Sequence, residues 1–298
     1  MTDFCHALGD EITRLVNTGE PGILVTAIFA GLLASIAAGV VGTYVVTRRI
    51  TYLAGGITHC VLGGIGAVIY CNKVLGWTGI DPMLGAFAAA ILAAVITGVI
   101  SLKFRERTDT IISAMWVLGM GGGILLMSQT PGYKPHLVSY LFGDVLAVTT
   151  ADLELTALLD LAVLLVAVFF YRQLLAVCFD EEFAASRGLR TGWYYMLLLT
   201  MTAVTVVFLV SLVGIVMVIA MLAIPAAIAA RCARKLWGVM LLATLFCALF
   251  TILGLAFSYG PDLPAGATIV VIAAGFYMLF LAASQIKTAL TKKTRRDT

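Results

Sequence analysis

The sequence has very little charge for its length. Of its 298 residues only 12% are Asp, Glu, Lys or Arg, and 61% are hydrophobic, whereas about a quarter of a soluble domain is charged. A water-soluble enzyme is therefore excluded. Apolar runs of roughly 20 residues, long enough for a helix to cross the bilayer core, recur along the whole chain. They are too long for the strands of an outer-membrane barrel. We expect an all-α integral membrane protein, a helical bundle of about nine transmembrane helices, with eight as the alternative.

The sequence also lacks the common motifs of catalysis and of structural metal binding. Its six cysteines are scattered without CxxC spacing, so neither a disulfide framework nor a structural zinc site is indicated. It contains no GxxxxGK[ST] phosphate loop, no HExxH and no GxSxG. We therefore expect no enzymatic activity, no permanently bound cofactor and no nucleic-acid partner.

Hydropathy predicts nine spans. They cover 22–46, 53–76, 82–102, 110–128, 152–171, 194–211, 212–230, 237–257 and 267–286. Within 194–230, Gly214 and Pro225 both interrupt the apolar run, so this stretch is either two spans or one span and a broken helix. The chain then divides into an N-terminal segment 1–21, a transmembrane domain 22–286 and a basic tail 287–298.

The basic residues predict the orientation of the chain in the membrane. Of 19 Lys and Arg, 16 lie in segments that are separated from one another by two crossings, and only Arg14, Lys73 and Lys134 do not. Because cytoplasmic loops are enriched in Lys and Arg, we expect the N-terminus outside and the C-terminus in the cytoplasm of a bacterium, with the protein in its cytoplasmic (inner) membrane.

Two segments outside the spans have some pattern of their own. Phe4, Leu8, Ile12 and Leu15 recur at helical spacing, which indicates a short interfacial helix, with a disordered tail as the alternative. Residues 129–150 begin polar and become apolar, so we expect an outer loop that leads into a partly buried hairpin. Asp144 in this stretch is assigned to capping a helix or turn.

Ionisable residues within a span are costly and indicate function. His59 lies in the second span between glycine pairs that would let the helix unwind or a neighbouring helix approach. An imidazole and the adjacent Cys60 thiol suit a divalent ion, although neighbouring helical residues point about 100° apart. Asp160, in the fifth span, either lines a transport path or pairs with a neighbouring helix.

The cytoplasmic segment 172–190 contains an acidic triplet, Asp180, Glu181 and Glu182, followed by Phe183 and a helix-forming stretch. Asp180 is a candidate N-cap and Gly188 a candidate residue just past the helix end. A short capped helix under the membrane is either a docking surface for a cytosolic partner or a solvated connection.

Several blocks resemble the permease subunits of ABC importers for zinc and manganese. Residues 58–64 resemble that family's (S/A)HAxLxG element, and the other blocks are 139–148, 179–189, 213–227 and 262–268. The family motifs include Asp144, Gly214, Pro225, Pro264 and Gly266. The resemblance implies an ABC permease architecture that forms a homodimer or heterodimer, cytosolic ATPases docked at residues 180–188, and an extracytoplasmic metal-binding protein. ATP would be used only by the ATPases, and the cargo would be zinc, with manganese or iron as alternatives.

One departure from the family concerns the metal path. The family commonly has an aspartate four residues before the motif histidine, where this chain has Gly55. Either Cys60, Asp160 or a residue of a second protomer replaces that carboxylate, or the ion is bound more weakly. Two other classes remain open: a carrier driven by an ion gradient and a non-transporting structural membrane protein.

Overall fold

The computed structural model describes residues 2–18, 22–77, 79–104, 108–131, 143, 148–259, 261 and 263–294. These residues form helices and connections without strands. The helices are α1 Thr2–Thr18, α2 Ile23–Thr47, α3 Thr51–Val74, α4 Pro82–Lys103, α5 Thr108–Ser128, α6 Thr150–Phe169, α7 Tyr171–Phe179, α8 Glu181–Ser186, α9 Thr191–Val213, α10 Ile215–Cys232, α11 Leu236–Tyr259 and α12 Ala265–Thr294.

The predicted spans match these helices closely, and the all-α membrane fold is confirmed. Eight described helices, α2 to α5 and α9 to α12, are long and apolar enough to cross a membrane. A ninth crossing is formed if α6 and α7 act as one span, since they pass the same test together but are bent by 74°. The bend lies at Phe170, one residue before the predicted end of the fifth span.

Helix α2 lies at the centre of the bundle and packs on α6, α9, α10 and α11. Its buried face is built from small residues, including Ala34, Ala37 and Ala38. At Gly39 a Cβ atom would lie 2.6 Å from the backbone nitrogen of Thr244 in α11. Small residues therefore let the neighbouring backbones come close, as is usual where helices pack in lipid.

The interruption expected between residues 194 and 230 is a sharp break at Gly214. Its φ of +80° is a conformation that glycine adopts without steric cost. The break separates two helices, so this stretch provides two candidate spans rather than one. The Cα of Gly143, in the loop before α6, also lies against this break, because a Cβ there would be 2.5 Å from the Gly214 nitrogen.

The two prolines and the remaining glycine of the predicted motifs lie within helices or directly before one. Pro225 is inside α10. Pro264 directly precedes α12, and its carbonyl accepts a hydrogen bond of 3.1 Å from the backbone N–H of Thr268. Gly266 is buried in the first turn of α12. Asp144 lies outside the described residues, as does most of the predicted 129–150 hairpin, so those predictions stay as they are.

The N-terminal segment is helical, as its apolar spacing predicted. Phe4 is buried and its ring lies 6.1 Å from that of Tyr259. The Glu11 carboxylate accepts a hydrogen bond of 2.9 Å from the backbone N–H of Val25. It therefore satisfies one of the free donors at the start of α2, where a negative charge is also favourable.

Candidate functional site

His59 lies about a third of the way along α3 and is 8% exposed. Its Nδ1 atom is buried and has no hydrogen-bond partner among the described residues. Leaving a buried polar atom unpaired costs about 1–3 kcal/mol, so an unpaired imidazole nitrogen at this depth suggests a ligand. A neutral imidazole is the commonest protein ligand for transition metals.

The ring of His59 is covered by an aromatic side chain from α5. The Trp116 indole stacks on the imidazole with ring centroids 4.3 Å apart and planes 17° from parallel. Trp116 in turn contacts Tyr52, with centroids 5.5 Å apart, and the Tyr52 hydroxyl lies 3.1 Å from the Ser113 hydroxyl. The α3 and α5 side chains thus form one continuous stack from Tyr52 to His59.

The glycines around His59 bring neighbouring helices close, which was one of the two roles expected for them. A Cβ at Gly63 would lie 2.7 Å from the Gly119 carbonyl oxygen, and one at Gly66 would lie 2.7 Å from that of Gly123. Gly64 and Gly85 make the same kind of contact between α3 and α4. Helix α3 itself is unbroken from Thr51 to Val74, so the other expected role, unwinding, is not present.

Cys60 does not join His59 in this arrangement. Its thiol is 5% exposed and donates a hydrogen bond of 3.3 Å to the Met115 carbonyl on α5. Because α3 is a regular helix, the side chains of residues 59 and 60 point about 100° apart. The two residues therefore contact different parts of α5, the thiol the backbone and the imidazole the indole.

Asp160 lies on α6, and its carboxylate forms a hydrogen bond with the backbone of α2. It is 3% exposed, and its Oδ1 accepts a hydrogen bond of 3.0 Å from the backbone N–H of Ala37. The other carboxylate oxygen has no partner among the described residues. Asp160 thus contacts α2, whereas His59 contacts α5.

A complete metal-binding group does not form within the described part of one chain. No set of three or more His, Cys, Asp or Glu side chains converges there. His59 supplies one nitrogen donor, and further ligands would have to come from water, from backbone carbonyls or from another chain.

The segment after the bent pair has the caps that its sequence predicted. The Asp180 carboxylate accepts a hydrogen bond of 2.9 Å from the backbone N–H of Phe183. Gly188 has φ +80°, and the backbone N–H of Leu189 donates to the Ala184 carbonyl at 3.1 Å, the pattern of a Schellman end. Helix α8 is therefore defined at both ends by side-chain and backbone chemistry.

The exposed surface of this segment is aromatic and acidic. Phe179 is 69% exposed and Phe183 is 54% exposed, and Glu182 is also exposed. Ala184 is buried and anchors the short helix on the bundle. Phe179 ends the bent pair and Phe183 lies beyond it on α8, so the two exposed rings together indicate a contact surface beside this candidate span.

Arg48, just past the end of α2, contacts this segment and lies in the turn that leads into α3. Its guanidinium forms an ion pair with the Glu181 carboxylate, donates to the Val177 carbonyl at 2.9 Å and lies 5.5 Å from the centre of the Tyr195 ring. Arg48, Glu181 and Tyr195 line a polar cavity of about 400 Å³ that also reaches Tyr52. Sequence reasoning used Arg48 only to predict orientation, and it missed Trp116 entirely. The one available signal for Trp116 was an aromatic residue within a span.

The comparisons with known proteins agree with the resemblance seen in the sequence. The sequence model described as the ABC 3 transport family matches residues 21–284. This chain belongs to the ABC 3 transport family. It is 35% identical, over 88% of this chain and 89% of the relative, to a Chlamydia trachomatis protein named "Probable metal transport system membrane protein".

Two further similarities are as extensive. The chain is 34% identical to the "Manganese transport system membrane protein MntC" of Listeria innocua, over 91% of this chain and 95% of the relative. Its fold matches a chain in the solved structure "PsaBC from Streptococcus pneumoniae in complex with Fab", with a TM-score of 0.76 and 30% identity over 92% of this chain and 95% of that chain. The ABC 3 family assignment therefore holds for sequence and fold alike.

Proposed function

We propose that this chain is the membrane permease subunit of an ABC importer for divalent transition-metal ions. The family assignment supports transport driven by an ABC system, and the relatives are named as metal or manganese transport proteins. The observation that carries the proposal for this chain is the buried His59, whose Nδ1 has no hydrogen-bond partner among the residues that the structure describes. An imidazole inside a span offers a transient ligand to an ion that has lost part of its hydration shell.

The cargo is a first-row divalent ion. Zinc is the ion expected from the sequence, and manganese is supported by the names of relatives such as MntC. Since one imidazole without a converging carboxylate holds an ion weakly, release to the cytoplasm would be easy. Such a site suits a conduit that receives its ion from a separate extracytoplasmic metal-binding protein.

A second permease protomer is part of the proposal. The described part of one chain lacks a converging set of three ionisable ligands, so the site is incomplete by itself. A second copy, or a related chain, facing His59 would supply the missing donors.

The energy would come from cytosolic ATPases that dock on the segment 179–188. Its exposed phenyl rings, Phe179 and Phe183, are suited to enter a groove of a partner. The Arg48–Glu181 ion pair then offers a direct connection from the docked segment to the turn that leads into α3. Movement of α8 would be transmitted in this way to the helix that contains His59.

The transport proposal is tested by measuring uptake of radioactive zinc and manganese in cells that express the chain together with its cognate ATPase and metal-binding protein. Uptake should require ATP hydrolysis and should stop when the ATPase subunit is inactivated. Uptake that persists without the ATPase and collapses with the membrane potential would instead establish the gradient-driven carrier. If neither zinc nor manganese is taken up, the result would favour the alternative of a non-transporting structural membrane protein.

The docking proposal is tested with two variants of the segment. Phe183→Ala removes an exposed ring and Asp180→Ala removes the N-cap, and both should abolish metal-stimulated ATPase activity and co-purification of the ATPase while leaving membrane insertion intact. Ser186→Ala, on the same short helix, is the control. Full ATPase coupling in both variants would contradict the assignment.

The orientation proposal is tested by labelling single cysteines with a reagent that does not cross membranes, in a chain freed of its own cysteines. Positions 73 and 134 should react from outside the cell. Positions 107, 190 and 234 should react only after the membrane is opened. Labelling of position 190 from outside would reverse the proposed topology.

A further inference from the structure

The position of Trp116 limits the directions from which His59 can bind an ion. The indole lies nearly parallel to the imidazole, 17° from it, with centroids 4.3 Å apart. A metal bonds to imidazole along the nitrogen lone pair, which lies in the ring plane. Fixing that plane therefore fixes the direction from which an ion can be bound.

Trp116 also fills space on the same side of α3, one turn away from His59. A Cβ at Gly55 would lie 3.5 Å from Cζ3 of Trp116 and 3.8 Å from Cδ1 of Ile219. Residues four apart lie on one face of a helix, so any ligand group that approached His59 from this side would meet the indole and an aliphatic side chain. The wall beside the imidazole is therefore hydrocarbon rather than oxygen.

Such an apolar wall disfavours the binding of manganese more than that of zinc. Imidazole suits zinc, whereas manganese prefers carboxylate, carbonyl and water oxygens in an octahedral shell. Zinc is satisfied by about four ligands, so it loses less when an aromatic surface excludes water on one side. Among the described residues no converging carboxylates offset that exclusion.

We propose that Trp116 is a specificity-determining residue of the metal path, which favours zinc over manganese by holding the His59 ring and by excluding oxygen ligands from the Gly55 side. The proposal rests on the proposed function, because it concerns the cargo of the same path. Trp116 acts through His59 and through the space it fills, so it is a positioning residue rather than a ligand.

The test is the ratio of zinc to manganese uptake in the assembled transporter, measured for both ions at equal free concentration. The wild-type chain should prefer zinc. Trp116→Ala should lower the ratio about tenfold, the size typical for residues that orient a metal ligand, and Gly55→Asp combined with Trp116→Ala should lower it further. Trp116→Phe keeps a stacking ring and should stay near the wild type. Trp237→Ala, which removes an exposed indole from α11, is the control.

A second measurement keeps Trp116 in place and does not depend on the folding of its variants. In purified chain with Trp77, Trp193 and Trp237 replaced by Phe, zinc should change the emission of Trp116 at lower concentrations than manganese. His59→Ala should remove the response.

The outcomes separate this inference from the proposed function. If ATP-dependent uptake of both metals is seen but the zinc-to-manganese ratio is the same in the wild type and in every Trp116 variant, the inference alone is overturned. A wild-type transporter that prefers manganese would also overturn the inference alone. A transporter that moves neither metal would overturn both.

Discussion

His59 and Asp160 both lie deep within helices, and the structure treats them differently. His59 stacks on an indole and leaves a ring nitrogen unpaired. Asp160 accepts a hydrogen bond from the backbone of α2 and so joins two helices. An ionisable residue in a span can thus also contribute to the packing of two helices. Within the described residues the buried His59 nitrogen has no hydrogen-bond partner, whereas Asp160 uses one carboxylate oxygen to bind α2 and leaves the other without a partner.

The largest effect is expected for His59→Ala. Uptake of zinc and manganese should fall at least about tenfold, because the one imidazole donor is lost. The midpoint of thermal unfolding in detergent should fall only moderately, because the variant loses the buried ring and its stacking on Trp116 but no hydrogen bond of Nδ1 to a described residue. Radioactive uptake and a thermal scan on the same preparation measure both. Uptake at the wild-type rate would make His59 a packing residue and would end its contrast with Asp160.

The second prediction concerns the glycine contact that positions His59. Gly63→Val would place a side chain against the Gly119 carbonyl, so we expect a loss of about 1–3 kcal/mol in the free energy of unfolding. Gly122→Val, on α5, is the matched control because a Cβ there would meet nothing within 4 Å. Denaturant titration of the two variants checks the difference, and equal stabilities would show that α3 is not held by this contact.

The third prediction addresses Asp160. Asp160→Leu removes the acceptor of the Ala37 N–H and should cost about 1–3 kcal/mol of stability. Asp160→Asn keeps an acceptor oxygen in place, so its stability and its metal uptake should both stay close to the wild type. A strong loss of uptake in the stable Asn variant would place the carboxylate in the path after all.

The smallest effect on stability is expected when the ion pair between Arg48 and Glu181 is broken. Glu181→Gln should change the free energy of unfolding by only about 0.2–1 kcal/mol, because both side chains are partly exposed. If the pair links the docking segment to α3, metal-stimulated ATPase activity should fall more than stability does. Exchange of the two charges, Arg48→Glu with Glu181→Arg, should then restore part of it, and a failure of both effects would reduce the pair to a surface contact.

Much of the fold could be predicted from the sequence because hydrocarbon imposes one requirement on every span. An apolar run must satisfy its backbone internally, so each run is a helix, and the predicted bounds lie within a few residues of those observed, apart from the long last helix. The caps at Asp180 and Gly188 were predictable for a similar reason, since they depend on chemistry within a few residues.

The site was only partly predictable. Sequence reasoning found His59 from its position in a span and Gly55 from the resemblance, but neither indicated that Trp116 would cover the imidazole. Likewise, the glycine pairs were compatible with an unwound helix or with close packing of a neighbouring helix. Close packing occurs because α5 places its own glycines directly opposite those of α3. Contacts between residues more than 50 positions apart follow from packing, which a local pattern does not encode.

The sequence by itself determined that this chain is a helical membrane protein of the ABC 3 family, because charge content, apolar run length and local motifs are properties of neighbouring residues. The tertiary structure alone decided which polar side chains are left free. Asp160 became a link to α2 through one of its two oxygens and Arg48 a link to Glu181, while the His59 nitrogen beside Trp116 has no partner among the described residues. The physical reason is that a buried polar atom is used or available according to what the neighbouring helices place beside it, and only the assembled bundle fixes that.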